Sequence, residues 1–384
     1  MPIPVLLVAS VPDWIGTARF PKALRDAGFS VTLLAPPNAL AAKSRHIDRV
    51  EAFPPQLTIY EWVHGLAAIV RAVDPRLIVP CDDLTVRLLH SIVLSAPPDL
   101  KANVQVELSA RIRESLGDPA FYESSVDKLR LPTVAASLGV RVIPWAEAST
   151  FSDVASFAAN HDYPVVLKAP TGAGGEGVAL CHDESQAATA FERLRSHREQ
   201  DLPEPSKVVV VQRYIAGQTI GRPAVAWNGR ELAGITREFV VKSPPVTGPG
   251  SVVRFYCEPE ARIASDTLAR GMGMKGFFAA QFIVEERTRR LYLLEISRRV
   301  TPGHHSGALV GVDLCAALHA ALTGARSNIP QDLPARFERT VAQFPQEWLR
   351  DPESPYLMGF PVDAPWDDPD LLDAMVAMRK TLQS

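Results

Sequence analysis

Lys168 ends an apolar run within residues 163–180, YPVVLKAPTGAGGEGVAL, and is followed by a glycine-rich turn and a second apolar run. An ammonium at a strand end neutralises negative charge, and a loop of exposed backbone N–H groups donates hydrogen bonds, so the pair suits a polyphosphate. ATP is the ligand this chemistry predicts. A P-loop is excluded by order, because its lysine follows the glycines and a helix comes next. Here Lys168 precedes Gly172, Gly174, Gly175 and Gly177, and Val178 to Cys181 are too few and too apolar to open an amphipathic helix. The unit reads as a hairpin whose loop folds over a nucleotide like a lid; a glycine-rich hairpin with no ligand is the plainer alternative.

A second constellation lies at 280–297. Two strands, 280–284 and 291–296, joined by a charged turn, place Gln281, Glu295 and Ser297 on one face by period-two alternation. Such a face offers the oxygen ligands that Mg²⁺ or Mn²⁺ takes while bridging phosphates. A solvated strand-face carboxylate is the alternative for Glu295. Arg298 and Arg299 follow at once. Asp82 and Asp83 stand where the carboxyl ends of a sheet would face a ligand crevice, although an acidic helix N-cap explains them more simply.

The elements that must position these residues fall into three segments. Residues 1–115 read as strand 3–8, helix 17–27, strand 30–34, apolar run 77–79 and helix 84–94, an alternation that predicts a doubly wound parallel sheet. Their first turn, SVPDWIGTA, lacks G-x-G-x-x-G and gives dinucleotide binding no support. Residues 116–330 carry the nucleotide features, with helices expected at 129–138, 153–160 and 184–197 and strands at 140–143 and 207–212. Residues 331–384 are rich in Pro and Asp, with one amphipathic helix at 369–382; they are expected to wrap the body, and their sequence says nothing about chemistry.

Bulk properties exclude several classes. The chain has 384 residues, 47% hydrophobic, with 40 Lys+Arg against 43 Asp+Glu. This length supports two or three domains with an extensive core, and near-neutral charge without basic runs argues against nucleic acid as partner. Cys81, Cys181, Cys257 and Cys315 are far apart and form no C-x-x-C, so they read as buried thiols in a reducing compartment. The start MPIPVLLVAS has no basic n-region, and no apolar run nears the roughly 18 residues of a membrane span. The expected location is the cytoplasm, with no membrane partner.

Taken together, residues 121–311 resemble the ATP-grasp superfamily, whose signatures occur here in order. SSVDKLRLPTVAASLGVRVIP is similar to its entry segment, with Lys128 at the first ATP-contacting lysine, and YPVVLKAPTGAGGEGV to its second-lysine strand and phosphate-covering loop. VVVVQRYIAGQ resembles the hinge strand that reads the adenine edge, and FFAAQFIVEERTRRLYLLEISRR the metal-binding strand pair. The resemblance implies an α/β chain: a Rossmann-like parallel sheet domain at 1–115, a two-subdomain ATP-grasp fold at 116–330 (lid 128–212, metal and catalytic part 213–330) and an extension at 331–384. It assigns ATP to Lys128, Lys168, Thr171, Gly172, Gly174, Gly175, Gly177, Gln212, Arg213, Tyr214, Ile215 and Thr219. Metal falls to Gln281, Glu295 and Ser297, and the transferred phosphoryl group to Arg299, with Lys168 assisting.

The sequence departs from the family at four positions. Gln281 replaces the usual acid, as in carbamoyl phosphate synthetases; Ser297 stands for asparagine, Thr219 for the ribose-binding acid and Gln212 for the hinge glutamate. Three of the four lose a charge and all keep an oxygen, so binding should weaken without vanishing. VTPGHHSG, residues 300–307, resembles the substrate-carboxylate loop of the D-alanine:D-alanine ligase branch, implying Gly303 and Ser306 at substrate. His304 and His305 then position or deprotonate the nucleophile, or else form a surface helix cap. Arg254 is a candidate carboxylate clamp, or a surface arginine. The implied activity is an ADP-forming carboxylate–amine ligase acting through an acyl phosphate on small molecules, amino acids among the candidates, with a homodimer as the prior assembly. Transfer to a thiol or other acceptor, and a nucleotide-binding regulatory protein without turnover, are the alternatives.

Overall fold

The structure is a computed structural model that describes residues 1–53, 58–95, 102–170, 177–196, 208–245 and 248–382. Four parallel strands open the chain: β1 (Ile3–Val8), β2 (Phe29–Ala35), β3 (Arg49–Ala52) and β4 (Leu77–Pro80), in the order β3-β2-β1-β4. Their alternate residues feed two cores. Leu6, Val8, Leu34 and Ile78 pack with Val63, Leu66, Leu89, Leu108 and Ile112 of three covering helices, Ile59–Val73, Asp83–Leu94 and Ala102–Leu116. Val5, Leu7, Leu33 and Val79 turn the other way, onto Phe20 and Leu24 of helix Phe20–Asp26 and onto the next sheet. Burial on both faces requires such uninterrupted apolar strands.

A small antiparallel sheet follows, β5 (Trp145–Ala148), β6 (Val165–Lys168), β7 (Val178–Cys181) and β8 (Val209–Arg213), ordered β5-β8-β6-β7. β6 and β7 pair antiparallel from Val165↔Cys181 to Lys168↔Val178, the expected hairpin. The strand expected at 140–143 does not form: Pro144 interrupts the run, Val142 makes an isolated bridge to Leu293, and the strand begins at Trp145. Helices Phe151–His161 and Glu184–Arg195 cover one face through Val154, Phe157, Phe191 and Leu194.

The large sheet comprises β9 (Gly217–Trp227), β10 (Arg230–Gly234), β11 (Thr236–Lys242), β12 (Gly250–Tyr256), β13 (Gly276–Glu285), β14 (Leu291–Ser297), β15 (Glu338–Gln343) and β16 (Val362–Asp363). Its order is β14-β13-β9-β11-β12-β15-β16, with β10 paired to β9. The C-terminal segment is therefore integral: β15 pairs with β12 across Val252↔Ala342 to Tyr256↔Glu338. Helix Pro369–Leu382 packs Leu371 and Met375 into a satellite core with Phe344. Among the described residues, no helix is long and apolar enough to cross a membrane.

Candidate active site

All three sheets converge on one cavity of about 730 Å³. The small sheet contributes Lys168, buried at the end of β6. Lys128 comes beside it because its backbone N–H donates to Pro170 O at 3.0 Å, while Ala169 N–H donates to Gly177 O at 2.8 Å and closes the hairpin neck. Burial, then the nearby Lys128, pulls Lys168 down to about 8, with Glu295 opposing. Lys168 forms no ion pair among the described residues, so the chain has placed a buried cation where an anion is needed to complete it. Thr171, Gly172, Gly174 and Gly175 lie outside the described residues.

Gln212, Arg213, Tyr214 and Ile215 line the cavity beside Lys168. The connection is held by Arg213 N–H donating to Pro144 O at 3.0 Å. Thr219 also faces the cavity, and Lys242 Nζ donates to its hydroxyl at 2.9 Å. Lys242, half-buried and lowered by that burial, thus stands beside Thr219 at the cavity wall.

The row of expected metal ligands is set by pairing. Gln281 opposes Glu295 and Ala279 opposes Ser297 across β13 and β14, with a bulge after Gln281. All three oxygen-bearing side chains line the cavity together with Arg299. Alternation separates the two arginines. Arg299 Nε meets Asp83 Oδ2 at 2.9 Å and its guanidinium lies 4.8 Å from the Trp14 ring centroid, whereas Arg298 turns away and donates Nη2–H to Leu116 O at 2.5 Å. Among the described residues no three His, Cys, Asp or Glu side chains cluster for a metal. Glu295 with two neutral oxygens supplies one formal charge, a donor set that fits Mg²⁺ when nucleotide phosphates complete its coordination.

Asp82 is the N-cap of helix Asp83–Leu94, accepting from Thr85 N–H at 2.8 Å, and it also accepts from Ser10 N–H at 2.6 Å. One carboxylate thereby ties the loops after β1 and β4 together at the sheet's carboxyl edge, where crevices form in parallel sheets. That tie brings Asp13, Trp14, Asp83 and Arg87 to the cavity wall. Gln343 and Gln346 of the C-terminal segment also line it, so this segment reaches the site.

Several expected residues stay outside. Arg254 binds Glu238 through Nε at 2.9 Å and Glu338 through Nη1 at 3.0 Å, half exposed and away from the cavity lining, so it is a surface ion pair. His304 is buried with both ring nitrogens engaged: Nδ1 accepts from Thr301 N–H at 2.9 Å and Nε2 meets Phe278 O at 2.9 Å. Burial lowers it to about 4, and with both nitrogens engaged and the ring absent from the cavity lining it has no free lone pair to offer a substrate proton. His305 Nε2 sits 2.5 Å from Asp363 Oδ2; burial opposes that carboxylate's charge most strongly, but His305 and Arg19 hold its pKa below the usual range. Gly303 and Ser306 are absent from the cavity lining, and the element after Gly303 is a short 3₁₀ turn, His305–Val310.

Arg237 was not anticipated. It lines the cavity from β11, fully buried beside Phe239. The available signal was a cation at an alternating strand position between Ile235 and Phe239.

Comparison with known proteins places this arrangement. The family described as "Carbamoyl-phosphate synthase L chain, ATP binding domain" matches residues 127–219, which include Lys128, Lys168 and Thr219. A pyruvate carboxylase of Aspergillus terreus is 24% identical over 223 residues, 54% of this chain and 18% of its own length. The chain thus spans under a fifth of that relative. The biotin carboxylase domain dimer of the Hydrogenobacter thermophilus 2-oxoglutarate carboxylase, solved with MgADP, ADP and bicarbonate, superposes with a TM-score of 0.64 at 19% identity, covering 85% of this chain and 71% of that one. N5-carboxyaminoimidazole synthetase of Staphylococcus aureus, complexed with ADP, gives a TM-score of 0.63 at 12% identity over 88% of this chain and 82% of that one.

Proposed function

The chain has the ATP-grasp fold, with an ATP-binding segment of the carbamoyl-phosphate synthase type, and on that premise we propose that it is an ADP-forming carboxylate–amine ligase. One observation carries the reading: Lys128, Lys168, Gln281, Glu295, Ser297 and Arg299, drawn from two sheets and the segments beside them, share one cavity. The lysines hold the α- and β-phosphates of ATP. Gln281, Glu295 and Ser297 would hold Mg²⁺, which neutralises phosphate charge when bound. Arg299, steadied by Asp83, faces the oxygens of the transferring group, where preorganised charge lowers the barrier most.

A carboxylate oxygen attacks the γ-phosphorus, the bond to the bridging oxygen breaks, and ADP leaves an acyl phosphate. An amine then attacks the acyl carbon, expels phosphate and loses a proton. A second reading takes bicarbonate as the acid, supported by the bicarbonate in the Hydrogenobacter structure.

The test is a matrix of carboxylates, bicarbonate included, against amines, with ADP, AMP and phosphate quantified. ADP formation that requires both a carboxylate and an amine, with hydroxylamine trapping a hydroxamate, supports the ligase. AMP as main product, or ATP binding without consumption under every pairing, overturns it, the latter in favour of a regulatory nucleotide-binding protein.

A further inference from the structure

Arg237 is 6% exposed and lines the cavity. Among the described residues its Nε and Nη1 have no hydrogen-bond partner. Burial pulls it down to about 10, with Asp363 opposing, so it remains a cation at neutral pH. A buried guanidinium with open donors is costly unless an anion completes it.

Register fixes where that anion would sit. Arg237 opposes Gly221, which opposes Gln281, which opposes Glu295, across β11, β9, β13 and β14. Directly opposed residues share a face, so Arg237 stands on the metal-row side of the sheet, with its backbone two strand spacings, about 10 Å, from Gln281. Gly221 leaves the row open between them: a Cβ there would already press on Phe239 Cζ at 3.2 Å. Gly303 gives the guanidinium its room, since a Cβ at that position would lie 2.7 Å from Arg237 Cζ. Gly303 therefore sits behind the arginine, while Thr301 and Pro302 of the same loop line the cavity. Gln346 adds a buried, unpartnered Oε1 to the same cavity, an acceptor for an ammonium or amide N–H.

The carboxylate that is phosphorylated must reach the γ-phosphate beside Glu295 and Arg299. A carboxylate forked onto Arg237 is held back from that point and takes no part in the bond changes. We propose that Arg237 anchors a carboxylate carried by the amine acceptor, making the acceptor an amino acid in preference to a plain amine. This rests on the ligase reading above.

Wild-type protein, Arg237→Met and Arg237→Lys are assayed with ATP and a productive carboxylate against two acceptor series, α-amino acids and the amines formally derived from them by loss of the carboxyl group. In wild type the amines should show KM values about ten- to a hundredfold above their parent amino acids, the worth of a charge-assisted contact. Arg237→Met should raise the amino-acid KM to the amine level and bring the ratio near one, and Arg237→Lys should recover part of it. Equal use of both series by wild type, or an unchanged ratio in Arg237→Met, overturns the proposal. Thermal unfolding of the MgADP-loaded protein with the same probes separates the two readings. If no carboxylate supports ADP formation, the ligase reading fails alone, and an amino-acid-dependent midpoint rise lost in Arg237→Met still sustains the anchor, whereas no rise in wild type refutes it. Should Arg237→Met not fold, the Lys variant decides by the same ratio.

Discussion

Arg222 and Arg237 are both buried in the large sheet, on its two opposite faces. On the back, Arg222 donates to Glu231 Oε1 through Nη2 at 2.6 Å, to Thr236 Oγ1 at 3.1 Å and to Asp332 Oδ1 at 3.2 Å. Burial opposes its charge most strongly, yet Glu231 and Asp332 together hold its pKa above the ordinary value. On the front, Arg237 has no such carboxylate pair among the described residues and burial prevails. The residue type and the depth are the same; what differs is whether the chain neutralises the charge itself. The back face is finished by folding, and the front face awaits an anion, as Lys168 does across the cavity.

The comparison breaks if both arginines behave alike. Arg222→Met leaves Glu231 and Asp332 buried without their cation and should cost about 3–5 kcal/mol in urea unfolding, whereas Arg237→Met should cost less than about 1 kcal/mol or stabilise. Similar losses in the two variants would mean that Arg237 is structural.

Lys168 sharpens it next. Lys168→Ala should lose about 1.5–3 kcal/mol of ATP binding free energy, read by titration calorimetry. Its folded value of about 8 lies below the ordinary 10.5. Between those values the unfolded chain binds more protons, so this group's contribution makes stability rise with pH across that window, the full cost being present below about 8. Phosphate binding favours the charged form, so ATP binding near pH 8 to 9 should take up a proton, seen as a buffer-dependent enthalpy that vanishes in Lys168→Ala.

Glu295→Gln removes the formal charge of the metal row. The Mg²⁺ concentration for half-maximal ADP formation should rise about tenfold or more, the worth of one charge-assisted contact; wild-type Mg²⁺ dependence would move the site elsewhere. The smallest effect belongs to Arg254→Ala, whose half-exposed pairs with Glu238 and Glu338 should be worth about 0–1 kcal/mol. An altered KM for any substrate would return Arg254 to the site.

Much of the frame was legible because it is local. The β6–β7 hairpin, the β13–β14 pair and helix Pro369–Leu382 follow from apolar runs, turn residues and alternation, and each of these acts over a few residues. The convergence of Lys128, Lys168, Gln281, Glu295, Ser297 and Arg299 was foreshadowed by ordered motifs for the same reason: each motif carries its own strand, and strand pairing sets the facing side. The Val140–Ile143 region misled, since Pro144 outweighed its apolar character.

What lay beyond the sequence was which charges stay unneutralised. Arg222, Arg237 and Arg254 all occur on strands of similar composition, and nothing within a few residues distinguishes them. Glu231 and Asp332 for Arg222, Glu238 and Glu338 for Arg254, and the absence of either kind of partnership at Arg237 among the described residues are decided by strand order and by segments up to 110 positions away. His304 likewise looked reactive until Phe278 and Thr301 engaged both its nitrogens. Backbone periodicity is a short-range property, so the chain alone determined its elements and their faces. Desolvation and pairing are long-range, so tertiary structure alone decided which polar groups hold the fold and which are left for a ligand.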